Sequence, residues 1–321
     1  MKRREFISLV GGAVLAAPVV SRAQQIGKIS RIGIIDDSPM WNAFRQGLRN
    51  LGYVEGQNIA FEYRYAGGLP DRLAWVAAEL ARRPVDLIAT FGTPPTLAAK
   101  WATTTIPIVM IGIGDPVGAG LVASLGRPGG NITGNTILSP DITGKRLQLF
   151  KELIPSLSRI AFLWNPDNAS HPAQLAELEA SAEKLSVKLL SLAVRSSDEL
   201  DKAFAVMATE RPDVFLMTND PLHQVSIVTI IDFLAKERVP GMFVTREVVV
   251  AGGLMSYGAS MPDLFGRGAS YVHKILQGTN PADLPVEQPV KFELVVNLKT
   301  AREIGLNIPE SFLLRVDEVI E

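Results

Sequence analysis

The 321-residue chain contains no cysteine. A disulfide framework, thiol catalysis and cysteine-ligated metals are therefore excluded. Histidine is nearly as scarce: His171, His223 and His273 are far apart, have no metal-spaced partner, and each reads as solvated or structural. Neither sign of charge dominates, since 32 basic and 33 acidic residues leave a formal charge of −1. Nucleic acid would demand a basic face, so no nucleic-acid partner is expected. There is no phosphate-binding loop and no G-x-S-x-G elbow, and Gly112-Ile113-Gly114-Asp115-Pro116-Val117 misses the last glycine of a dinucleotide fingerprint. Nothing marks a carboxylate pair as general acid and base. The residues support no enzyme and no cofactor.

Long apolar runs are missing too. The longest, residues 6–20, falls short of the roughly 20 residues a membrane-spanning helix needs. It follows Lys2, Arg3 and Arg4 and precedes Ser21-Arg22-Ala23, small residues of the kind a signal peptidase reads. Residues 1–23 are therefore expected to be an export signal cleaved after Ala23. Arg3-Arg4-Glu5-Phe6-Ile7 is similar to a twin-arginine signal, and the general secretory route stays open. Without a cysteine at the cleavage site the product is not a lipoprotein, and the periplasm is its expected location. Cleavage would remove Lys2, Arg3, Arg4 and Arg22 with Glu5, taking the charge from −1 to about −4. The remaining length exceeds what one core usually organises, so two lobes are expected.

What is present is an alternation of short apolar runs with helical spacings. Residues 32–35, 59–65, 86–91 and 106–111 read as strands, with helices marked by Trp41, Phe44, Leu48 and by Leu73, Val76, Leu80. The glycine-rich stretch 112–134 breaks the rhythm and is the first candidate crossover. Strands 159–164, 188–194, 214–217 and 242–244, with helices between them, form a second unit. Gly252-Gly253 is a second break, followed by a helix over 264–276 and a strand over 292–297. This pattern predicts an α/β protein with two doubly wound parallel-sheet lobes joined by a hinge. No literal repeat stands out.

Five strand ends carry a small polar residue and then proline: Ser38-Pro39, Thr93-Pro94, Asp115-Pro116, Asn165-Pro166 and Asp220-Pro221. Such residues cap helix starts, and proline suits the first helical position. Ligands of open parallel sheets bind outside the carboxyl ends of the strands. Ser38 and Thr93 can then hold a carboxylate with hydroxyls and helix-start amides, and Asp115 and Asp220 an ammonium. Asn165 is a further polar candidate. Ordinary capping is the competing reading of each pair. Among nearby aromatics, Trp41 is assigned to the core by its helical face, and Tyr257, between Ser256 and Gly258, is the expected stacking residue.

Longer strings carry a family resemblance. FRQGLRNLGYVEGQN (44–58), DPVGAGLVASLGRPGGNITG (115–134), GGLMSYG (252–258), LPVEQPVKFELVVNLKTAREIG (284–305) and RVDEVIE (315–321) resemble the tryptophan/tyrosine-type ABC transporter substrate-binding proteins. The resemblance implies a type I periplasmic-binding fold with three hinge crossings, a small organic solute in the cleft, and an ABC permease as partner; some members resemble aromatic amino-acid receptors, so an amino acid is the expected solute. Thr93, Asp115 and Asp220 are the cleft-facing residues it suggests. The expected lobes are 27–137 plus 256–292 and 138–255 plus 293–321, in a monomer. A sensory binding protein of the same fold is the first alternative and an α/β enzyme, which would need a nucleophile elbow or cofactor loop, the second; a LacI-type regulator would need a helix-turn-helix where the export signal stands.

Overall fold

Runs such as IGII and IVMIGI offer no polar face to solvent, and both are buried in parallel sheets. The computed structural model describes residues 29–35, 40–67 and 69–321. The expected export signal and Ser38 lie outside the described residues. The first part of the chain comprises β1 (Ser30–Ile35), α1 (Trp41–Asn50), β2 (Ile59–Arg64), α2 (Pro70–Ala81), β3 (Leu87–Phe91), α3 (Thr93–Ala102), β4 (Ile108–Ile113) and β5 (Ile132–Thr136). Next come α4 (Ser139–Leu153), β6 (Arg159–Trp164), α5 (His171–Lys184), β7 (Lys188–Ala193), α6 (Leu200–Glu210) and β8 (Val214–Met217). They are followed by α7 (Pro221–Val225), α8 (Ile227–Glu237), β9 (Gly241–Phe243), α9 (Arg246–Val250) and β10 (Met255–Ala259). The chain ends with α10 (Met261–Leu276), β11 (Phe292–Asn297), α11 (Leu298–Ile304), α12 (Glu310–Leu313) and β12 (Glu318–Ile320).

Two sheets result, ordered β2-β1-β3-β4-β5 and β12-β11-β10-β9-β8-β6-β7. Five parallel strands of the second, read β7-β6-β8-β9-β10, repeat the order of the first. Each sheet is covered on both faces. In the first lobe one core gathers Phe44, Leu48, Phe265 and Val272 from α1 and α10, and the other Val76, Leu80 and Ala99 from α2 and α3. In the second, Leu147, Phe150, Leu178 and Ala301 pack on one face and Phe204, Met207, Ile230 and Leu234 on the other. Each of the larger of these side chains, the alanines aside, contributes roughly 1.5–3 kcal/mol by leaving water.

The lobes also share a local device. Asp86, just before β3, accepts the Arg31 N–H at 2.8 Å and donates its own N–H to the Arg31 carbonyl at 2.8 Å. Asp213, just before β8, makes the same exchange with Arg159, at 2.8 and 2.9 Å. Burial would raise the Asp213 carboxyl, but bonds from the Ser158 and Arg159 amides hold it below its ordinary range. Seven residues after each aspartate stand Thr93 and Asp220, so these two occupy equivalent strand ends.

The crossings differ from expectation in two places. The stretch 112–134 is not itself a crossing, because β5 within it pairs in parallel with β4. Gly134 sits at φ +143°, and a Cβ there would collide with the Met110 backbone on the neighbouring strand. The sequence therefore has the composition of a loop where the structure needs a strand. The chain leaves the first sheet after Ile137, through Leu138 at φ 52°. The second difference is β10, which pairs with β9 and β11 in the second sheet, so the chain crosses after Ala259 and not at 255/256. It crosses again between Glu287, bridged to Asn135 beside β5, and Phe292 at the start of β11.

Candidate functional site

In each sheet the order reverses beside the first strand of its lobe, between β1 and β3 and between β6 and β8. Crevices open at such switch points, outside the carboxyl ends of the strands. A cavity of about 190 Å³ lies there between the lobes. From the first lobe come Ile35 at the end of β1, Trp41 at the start of α1, Tyr65 after β2, and Phe91, Gly92 and Thr93 at the β3–α3 junction. The second lobe supplies Asn219, Asp220 and Gln224 from the β8–α7 junction. One wall is thus largely aromatic and aliphatic, and the facing one polar and acidic.

Asp220 dominates the polar wall. It is the cap of α7, where its Oδ1 accepts the Leu222 N–H at 2.9 Å. Asn165 donates to the same oxygen at 3.4 Å, and Asn168 donates to Oδ2 at 2.8 Å. The carboxylate is only 2% exposed, and all three donors are neutral. Among the described residues no lysine or arginine lies within ion-pair distance of it. A buried carboxylate is costly unless a counter-charge is supplied.

The lobes touch beside this group. Thr93 Oγ1 and Ser170 Oγ, from opposite lobes, are 2.7 Å apart, and the Asp115 N–H donates to Ser170 Oγ at 3.1 Å. The Ser170 N–H in turn donates to Asn168 Oδ1 at 3.1 Å. A polar chain therefore runs from Thr93 through Ser170 and Asn168 to Asp220, and it links lobe closure to the acidic wall.

Of the residues expected from sequence, Thr93 and Asp220 line the cavity together. Thr93 opens α3, but Pro94 and Pro95 follow it, and neither has an N–H to offer an anion. Asn165 acts one step back, on Asp220. Asp115 is not among the residues lining the cavity: its Oδ1 accepts the Gly118 N–H at 2.8 Å, and its backbone amide donates to Ser170 Oγ between the lobes. Tyr257 also needs correcting. It stacks on Phe292 with centroids 6.0 Å apart, packs against the core of the second lobe, and gives its carbonyl to Arg146 Nε at 2.7 Å. It is not among the residues lining the cavity.

The aromatic wall is formed by Trp41, which its helical face assigns to the core, and by Tyr65 and Phe91, which are not among the expected residues. Tyr65 and Phe91 sit at or just beyond the ends of β2 and β3, the same rule applied to a different residue class. Gln224, also not among the expected residues, stands one helical turn beyond Asp220, a spacing that would have marked it.

The fold and the inter-lobe crevice define a class: two-lobed solute-binding proteins of the type I periplasmic-binding architecture, binders and not enzymes. The family model for ABC transporter substrate binding proteins matches residues 38–320, and the chain belongs to that family. It is 28% identical over 265 residues to a tyrosine-binding protein of Clostridioides difficile (strain R20291), covering 82% of this chain and 75% of that one. An ABC domain from Streptococcus pneumonia in complex with L-Trp matches with a TM-score of 0.85 at 28% identity, over 91% of this chain and 100% of that one. The ligand-free, open structure of a Clostridium difficile substrate binding protein with adhesive properties matches with a TM-score of 0.64 at 26% identity, over 91% and 99%.

Proposed function

We propose that the chain is the solute receptor of an ABC importer, exported to the periplasm, and that it binds an amino acid with an aromatic or large apolar side chain. The observation that carries this reading is the cavity itself, with Trp41, Tyr65 and Phe91 on one side and the unneutralised Asp220 carboxylate on the other. An aromatic side chain packs against the first wall, and its α-ammonium supplies the charge the second lacks. Because the two walls belong to different lobes, the solute bridges them and favours the closed form. Two further facts support the reading: the likeness to an L-Trp complex, and the likeness to a tyrosine-binding relative. The closed form then docks on a permease. Among the described residues no helix is long and apolar enough to cross a membrane.

Mass spectrometry of solute released from the denatured protein, then calorimetric titration with L-tryptophan and L-tyrosine, tests this. At least one amino acid should bind the native protein. Asp220→Ala should weaken it by roughly 10- to 100-fold, the worth of one charge-assisted hydrogen bond. Tight binding of an uncharged solute, with no response to amino acids, overturns the ligand assignment.

A further inference from the structure

The cavity wall carries charge of one sign. Among the described residues that line it, Asp220 is the one charged side chain, and no lysine, arginine or histidine stands there. The residues outside the description that adjoin the lining in sequence, 36–39 and 68, read Asp-Asp-Ser-Pro and Gly, so they add no base. Arg64, next to Tyr65 in sequence, is not a lining residue, and its Nε is held by Glu79 at 2.8 Å. A solute carboxylate therefore meets no counter-charge in this wall.

Neutral donors could hold an anion instead, most readily at helix starts. Three helices start in the wall, and two of them have lost donors. α3 opens Thr93-Pro94-Pro95, so two of its first three residues have no N–H. α7 opens with Pro221, and its next N–H, from Leu222, is already spent on Asp220 Oδ1 at 2.9 Å. The Gly92 N–H goes to the Ile111 carbonyl at 3.0 Å, and the Gln224 amide donates to Asn219 Oδ1 at 3.1 Å. Only α1 opens without a proline. One helix dipole offers about half a positive charge, which sets it against the full negative charge of Asp220. The aromatic residues add nothing for an anion, because a ring face attracts cations.

We propose that the site selects an organic amine cation: an ammonium with an N–H for Asp220, joined to an aromatic or large apolar body, with the α-carboxylate of an amino acid dispensable. This rests on the cavity beside Asp220 being the solute site. An amine brings one positive charge to a wall with one negative charge and leaves the closed cleft neutral. A zwitterionic amino acid leaves a surplus negative charge there. Its carboxylate and ammonium share one carbon, so binding the ammonium to Asp220 brings two carboxylates close together, where like charges repel most. Aromatic amines such as tryptamine and tyramine therefore belong to the solute class.

Calorimetry on the wild-type protein tests this with two sets of probes. L-tryptophan is compared with tryptamine, which lacks the carboxylate, and indole-3-propionate, which lacks the ammonium. L-tyrosine is compared with tyramine and 4-hydroxyphenylpropionate in the same way. In whichever set binds, the amine should match its amino acid to within about tenfold or bind more tightly, and the acid should be weaker than the amine by roughly 100-fold or more. An amine more than tenfold weaker than its amino acid shows that the wall holds the carboxylate; it overturns the inference and leaves the amino-acid assignment standing. A smaller gap between acid and amine also overturns it. Binding of an amine where both amino acids are silent upholds it, with the amine in place of the amino acid as solute. Silence of all six probes removes the aromatic-solute reading of the cavity, and this inference falls with it.

Discussion

Trp41 serves the core and the cavity together. Its ring is 2% exposed and meets Phe44 and Phe265 edge-on, with centroids 5.2 and 5.1 Å away, yet it also lines the solute crevice. Helical periodicity correctly assigned it to a buried face. What periodicity cannot say is that the first turn of α1 abuts a switch point, where a buried face and a ligand wall are one surface. Trp41→Ala should therefore cost about 3–5 kcal/mol of stability, as large-to-small core changes do. Urea unfolding checks this; a loss under 1 kcal/mol would mean the ring is not a core residue. Asp220 was legible for the opposite reason, since a capping aspartate before proline has few other places to be. The approach of His171 to His223, whose ring centroids lie 6.4 Å apart, was not, because 52 residues separate them and only the parallel pairing of β6 with β8 brings them together.

At the scale of elements, the strands that read clearly are those whose residues have one physical task. β3, β6 and β8 are apolar runs with polar ends, and each was found within one residue of its observed limits. β5 and β10 carry a second task, close backbone approach, which places Gly134 and Gly258 in them and hides the strand behind a loop-like composition. The repeated Asp86 and Asp213 devices were visible as Pro-x-Asp and Pro-Asp before apolar runs, a signal too short to stand out without the sheets. Gly114, at the end of β4, belongs to the same class of close approach, but between lobes. A Cβ there would lie 3.0 Å from Ser170 Cβ across the cleft. Gly114→Ala should therefore hold the lobes slightly apart while leaving each core intact. A penalty near 1.4 kcal/mol on the closed form gives about a tenfold loss of affinity for a bridging solute. Calorimetry with L-tryptophan, together with small-angle scattering of the loaded protein, reads this out. Unchanged affinity and an unchanged radius would show that the contact does not limit closure.

For the whole molecule, the two matches at similar identity and coverage differ chiefly in score, 0.85 to an L-Trp complex and 0.64 to an open, ligand-free structure. The Thr93–Ser170 contact across the cleft accords with a closed arrangement here. The burial of the His171 and His223 imidazoles has a consequence for folding. In the unfolded chain a histidine titrates near 6.5, so between there and about pH 4 the unfolded state binds protons that folded His171 refuses. Stability is thus fully present above about pH 6.5 and is lost as pH falls, with a slope near 1.4 kcal/mol per pH unit for such a ring. From pH 7 to pH 5 His171 accounts for about 2 kcal/mol of loss, and His223 adds in the same direction. Carboxylates held below their ordinary range, such as Asp213 and Glu318, surrender their contribution only at lower pH. Urea unfolding at pH 7 and pH 5 should therefore show a steep drop in the wild-type protein. His171→Gln should show a drop smaller by about 2 kcal/mol, because the unfolded variant has one fewer imidazole to protonate. Equal drops in the two proteins would mean that folded His171 takes up its proton freely.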